Sequence, residues 1–256
     1  MSAASRRGRS GAPRFAREFK ANPHPVYAGL RRQSPVVHAK LPDGSKAWLV
    51  TRYADALFVL KDERFSKDPG TAGRGTQLLR RYGIPSILRP LTRNMLDLDP
   101  PDHTRLRALV HRAFTPARVA HMQTRIQQVA DDALDRAEAR GGMDLIRDYA
   151  LVIPTTIIAE LLGVPARDRE RFHRWSSMIV AGDASKLAAL RALPAIVSII
   201  RYLRKLVDAH RTAPADDLTT ALINAEGPGD RLHGDELIAM LFLLLVAGHE
   251  TTVNLI

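Results

Sequence analysis

The chain has 256 residues, no Cys, and 38 Lys and Arg against 27 Asp and Glu, a net charge of +11. Apolar residues make up 45% and aromatics only 5%, so the length can bury a core of Leu, Val, Ile and Ala in one or two domains. The lack of Cys excludes a disulfide, a Cys-based zinc site and a cysteine nucleophile within these residues.

Arg6, Arg7, Arg9, Arg14 and Arg17 lie among Ser and Gly, and residues 1–22 read as a disordered basic tail. No apolar stretch follows the basic start, so no signal peptide is expected. A positive surplus can serve nucleic acid, but the other Arg residues are scattered and often sit four positions from an acid. Neither an aromatic-interleaved platform nor a helix-turn-helix pattern accompanies them, and nucleic-acid binding is not expected. Val36 to Tyr53 alternates around Pro42, Asp43 and Gly44 and predicts a hairpin. A second short strand is predicted near Met143 to Ile146. Tyr53 to Lys61 reads as a short helix. Pro69 to Leu98 is a long, weakly periodic stretch, and such loops usually carry function or are disordered.

Asp102 to Phe114 is predicted to be helical. Thr115 then stands as an N-cap before Pro116 at the first helical position. The next helix puts Val119, Met122, Ile126, Val129, Ala133, Leu134 and Ala137 on one face, and Gly141 and Gly142 stop it. Further helices are expected over 148–162, 166–181, 186–211 and 216–224. A last one starts near Asp235 and runs to the final residue. The fold class is mainly α with a small β-hairpin near the N-terminus.

That last helix carries the oddest sequence. Leu237 to Val246 is apolar on every side, which predicts a central, buried position. The longest apolar run, Leu237 to Ala247, falls well short of the ~20 residues that span a bilayer, so a soluble, cytoplasmic protein is expected. Ala-Gly-His-Glu-Thr-Thr follows, at 247–252. Gly248 costs about 1 kcal/mol relative to Ala in a helix. Thr251 can bond the carbonyl of Ala247 and open the helix there. Ala247 and Gly248 remove bulk, leaving a notch beside the Thr251 hydroxyl and the Glu250 carboxylate. The notch suits a small ligand, and the same residues would equally suit a close helix–helix contact. His249 and Glu250 begin an H-E-x-x-H zinc pattern, but Val253 stands where its second His belongs.

A second constellation lies in D-P-P-D-H-T-R-L-R-A-L-V-H-R-A-F. His103 and Arg107 are four apart and share a helical face, which His111 and Phe114 continue. A guanidinium fork and an imidazole beside an aromatic ring fit a planar anionic ligand. An exposed basic face would have the same pattern. Arg105 and Arg112 are expected to point elsewhere, into solvent.

Together these motifs resemble the cytochrome P450 family of haem-thiolate monooxygenases in its soluble bacterial form. P-D-G-S-K-A-W-L-V-T-R-Y-A-D, D-E-R-F-S-K-D, N-M-L-D-L-D-P-P-D-H-T-R-L-R and A-G-H-E-T-T occur in the family's order across essentially the whole chain. The resemblance implies that His103 and Arg107 hold the haem propionates beside Phe114. It implies that Ala247 and Gly248 form the oxygen-binding groove, and that Glu250 and Thr251 deliver protons. It implies a small organic substrate, a ferredoxin or flavoprotein electron donor, and no membrane or nucleic acid. Pro69 to Leu98 and the helix pair over 166–211 would cover the substrate pocket. Residues 23–256 would be the N-terminal portion of one P450 domain ending inside the family's I helix. Neither its E-x-x-R helix nor its Cys loop is present. The expectation is a truncated P450 fold with much of Leu237 to Val246 uncovered. The alternative is a non-catalytic truncated relative or gene fragment.

Overall fold

In the computed structural model, residues 19, 21–40, 46–68, 86–92, 94–181, 186–227, 230–253 and 255–256 are described. They fall into two units, Met1–Ser66 and Lys67–Ile256. In the first, helix α1 (His24–Gln33) precedes strands β1 (Val36–Lys40) and β2 (Lys46–Val50) and helix α2 (Tyr53–Lys61). No helix is predicted from the sequence over the residues of α1. α1 starts at Pro23 and Pro25 and ends on Arg31 and Arg32, a Pro-first, basic-last order that suits a helix. β1 and β2 pair antiparallel with Val36 opposite Val50 and His38 opposite Trp48, as the alternation predicts. Val37 and Ala39 form the buried side of β1. The turn residues Pro42, Asp43 and Gly44, like most of the basic tail, lie outside the described residues.

The second unit is helical. Two 3-10 turns (Ser86–Thr92 and Met95–Asp97) lead into α3 (Asp102–Ala113) and α4 (Pro116–Arg140). Thr115 caps α4 by accepting from the Arg118 amide at 3.2 Å, and Gly141 ends it in the left-handed region at φ 73°. Residues 69–85 and 93 of the long loop lie outside the described set. A π-helical turn (Leu145–Ala150) follows α4, where a strand was predicted near Met143 to Ile146. Asp144 overrides the apolar run by accepting from the Arg147 amide at 2.9 Å, which starts a helical turn instead. Then come α5 (Val152–Leu161), α6 (Ala166–Ala181), α7 (Lys186–Thr212), α8 (Leu218–Ile223), a short pairing of β3 (Glu226–Gly227) with β4 (Asp230–Arg231), and α9 (Gly234–Val253).

α9 is the centre of this unit. It packs against α5, α6, α7, α8 and the first 3-10 turn. Leu237 to Leu241 and Leu245 are buried and Phe242 to Leu244 half-buried, so the uncovered apolar run expected from the sequence does not occur. By length and composition alone α9 could cross a bilayer, but its Leu237, Met240, Leu241 and Leu245 belong to the buried core cluster.

Glu160 joins three helices. Its carboxylate accepts two bonds from Arg125 of α4, at 2.8 and 2.8 Å, and one from Arg169 of α6 at 2.7 Å. The bidentate bond from Arg125, opposed by partial burial, holds the Glu160 carboxyl below its ordinary 4.5. A depressed folded-state value means the contribution is full above 4.5 and is lost as pH falls through the folded value. Glu160→Gln is therefore expected to flatten the fall in urea-unfolding stability below pH 4.5. An unchanged acid limb in the variant would contradict this.

Candidate functional site

α3 presents three faces. Leu106, Leu109 and Ala113 are buried in the core. His103 and Arg107 lie on one flank and Arg105 on the other. His103 is half-buried, and its Nδ1 sits 2.8 Å from the carbonyl oxygen of Met95. A carbonyl only accepts, so Nδ1 carries the proton. Nε2 makes no hydrogen bond among the described residues, and it donates to an acceptor only when the ring holds a second proton. The Met95 turn is itself fixed by Asn94, whose Oδ1 accepts from the Leu96 amide at 2.9 Å and whose Nδ2 donates to Asp97.

Arg107 is exposed and has no hydrogen bond or ion pair among the described residues. Phe114 occupies the C-cap of α3, is half-buried, and packs against the core cluster. Arg105 is not free in solvent, contrary to the sequence reading. It forms an ion pair with Glu236 in the first turn of α9, its Nη1 lying 3.4 Å from Oε2 and its Nη2 closer still to Oε1. Glu236 also accepts from the His233 amide at 3.2 Å. A contact spanning 131 positions leaves no local trace, which is why pattern reading missed Glu236.

On α9, Thr251 donates to the Ala247 carbonyl at 2.6 Å and Thr252 to the Gly248 carbonyl at 3.0 Å. Ala247 and Thr251 are exposed on one face. Gly248 turns toward α5, where a Cβ would meet Ile158 Cδ1 at 3.5 Å. Each alternative for the notch thus describes one of its residues: Ala247 is accessible, and Gly248 makes the close helix contact. The His249 and Glu250 side chains lie outside the described ones. No group of three or more metal-ligating side chains forms among the described residues. No hydrogen bond links His103 or Arg107 to the 247–252 segment there. Because 3.5 Å is an ordinary contact, Gly248→Ala is expected to keep or raise stability, by up to about 1 kcal/mol from helix propensity. A urea-unfolding loss above about 1 kcal/mol would mean the backbones need the glycine.

A groove of about 510 Å³ lies between α4 and α5, beside Arg118, Met122, Ile157 and Leu161, and none of its lining residues is on α3 or α9.

No family model matches the chain. Cytochrome P450 107B1 of Saccharopolyspora erythraea is 44% identical over 247 residues, covering 94% of this chain and 59% of the relative. Vitamin D(3) 25-hydroxylase of Pseudonocardia autotrophica is 45% identical over 245 residues, covering 94% and 58%. The chain corresponds to part of a cytochrome P450. Among solved structures, the P450 PksS of Bacillus subtilis superimposes with a TM-score of 0.80 at 37% identity, covering 94% of this chain and 58% of that one. This P450 chain therefore spans a little under three-fifths of the length of the relatives it matches.

The α3 donors fit the carboxylates of the family's haem. Among the described residues one guanidinium is unpartnered and one imidazole nitrogen is unengaged, four residues apart on one flank. Ala247 and Thr251 are exposed on one face of α9. With no Cys in these residues, an iron-bound thiolate would have to come from outside them.

Proposed function

We propose that this chain is the N-terminal portion, over residues 23–256, of a haem-dependent monooxygenase acting on a small organic substrate. The observation that carries this reading is an Arg107 without a partner among the described residues, four positions from a His103 ring oriented by Met95. Haem, when bound, supplies an iron that activates O2 for insertion of one oxygen atom. His103 and Arg107 bind its propionates, and Phe114 backs that edge. Ala247 and Gly248 keep bulk away from the reacting face. The Thr251 hydroxyl, donating to the Ala247 carbonyl, leaves its oxygen lone pairs able to accept a proton-carrying water. Glu250 passes protons to that position. Electrons come from a ferredoxin or flavoprotein, and the protein works in the cytoplasm.

Haemin titration followed by the Soret band tests the reading. Arg107→Glu is expected to weaken haemin binding at least about tenfold, since a charge-assisted pair becomes a repulsion. Wild-type binding no tighter than that of an unrelated helical protein, or an Arg107→Glu chain binding equally well, would refute it.

A further inference from the structure

We infer that Arg105 and Glu236 form a clamp that sets the roll of α3 about its own axis, and so fixes where the His103–Arg107 flank points. The inference rests on the haem reading for the identity of the ligand, though not for the clamp itself. At about 100° per residue, Arg105 and His103 project some 160° apart around the helix, on opposite sides of the buried stripe. The fully buried stripe is made of Leu106, Leu109 and the small Ala113, with Val110 and Phe114 half-buried against the core beside it. Apolar burial is non-directional, so such a stripe resists sliding outward better than it resists rolling. A two-nitrogen ion pair on the flank is directional and supplies what the stripe lacks.

Arg105 reaches Glu236 through both terminal nitrogens. Glu236 is itself held, because it accepts from the His233 amide at the start of α9. α9 is in turn fixed by its buried core residues. The clamp therefore ties the roll of α3 to the best-anchored helix of the unit. On the far flank, the Met95 carbonyl holds Nδ1 of His103 at 2.8 Å. With Met95 on one side and Glu236 on the other, α3 cannot roll without breaking one of the two. Arg105 and Glu236 are positioning residues, and neither touches the ligand.

The test measures two quantities on the whole chain: haemin affinity by Soret titration and unfolding midpoint by circular dichroism. Wild type and Arg107→Glu come first, because failure there refutes the haem reading and not the clamp. Arg105→Glu and Glu236→Arg are each expected to weaken haemin binding about fivefold or more, with the exchange Arg105→Glu/Glu236→Arg restoring most of it. Glu236→Gln, which keeps an acceptor for the His233 amide and is expected to fold, should show an intermediate loss. Recovery by the exchange, with single-variant losses of affinity that do not track the unfolding midpoint, supports the clamp; losses that follow the midpoint are stability effects and overturn it. Single variants that bind haemin within twofold of wild type overturn it. So does an exchange variant no better than the singles. If the charge-reversal variants do not fold, Glu236→Gln decides: unchanged haemin affinity overturns the clamp, and a loss at an unchanged midpoint supports it.

Discussion

Gly163→Ala is expected to destabilise the second unit by about 3 kcal/mol or more, the combined cost of a strained backbone and a displaced buried pair. Gly163 follows α5 with φ at +72°, in the left-handed region that a side chain rarely adopts. The conformation alone costs about 1 kcal/mol for a residue with a Cβ. The surroundings add more. A Cβ built there would lie 2.1 Å from Asp217 Oδ2 and 2.6 Å from His210 Nε2. Neither can step aside. His210 is held at its other nitrogen by the Leu206 carbonyl at 2.8 Å, and Asp217 Oδ1 accepts from the Thr220 amide at 2.8 Å. Urea unfolding should show a much lower midpoint, or no cooperative transition. A change under about 1 kcal/mol would mean that the two side chains have another arrangement available.

The second large effect concerns the pair itself. His210 and Asp217 are 2.6 Å apart, with side chains only 9% and 8% exposed. Nδ1 of His210 faces a carbonyl and must donate, so a hydrogen bond between Nε2 and the Asp217 carboxylate needs a second proton on one of the two groups. Asp217→Ala removes the acceptor for His210 and the N-cap of α8 together. Removing one partner of a buried pair costs about 3–5 kcal/mol, and losing a cap about 1 kcal/mol more. Asp217→Asn keeps an acceptor for the Thr220 amide and should fall well short of that total. If Asp217→Asn and Asp217→Ala are equally unstable, the cap contributes nothing and the ion pair carries the whole loss. If both lie within about 1 kcal/mol of wild type, the pair is not structural.

Local rules made much of this chain legible. Thr115 before Pro116, Gly141 after the last periodic residue and the alternation of β1 with β2 are short-range chemistry, and each element lies where its residues place it. The same holds for the Thr251 bond to Ala247, which needs only a β-branched hydroxyl four residues on. What pattern reading lost was decided by partners far away or by capping. The segment at 143–146 has strand-like composition, yet Asp144 and Asp148 bind backbone and Arg147 and turn it helical. Arg105 reads as a solvated residue in the sequence because its partner Glu236 lies 131 positions further along the chain. Gly163, with the most costly contacts of any described glycine, carries no motif, since its neighbours come from α7 and the start of α8. The candidate site shows the same division: single faces of α3 and α9 can be read from spacing, but the bond orienting His103 comes from a preceding turn.

The paired threonine bonds on α9 have a consequence for how that helix opens. Carbonyls 247 and 248 each accept a side-chain hydroxyl while also serving the backbone, and the faces around them are accessible. Amides from Leu241 to Leu245 sit in the core and exchange their hydrogens only when the unit unfolds as a whole. Amides at 251 and 252 share their acceptors and exchange through excursions of a single turn. One continuous helix thus spans the full range of local stability in the protein, from global protection at one end to brief fraying at the turn that carries the Ala247–Thr251 face.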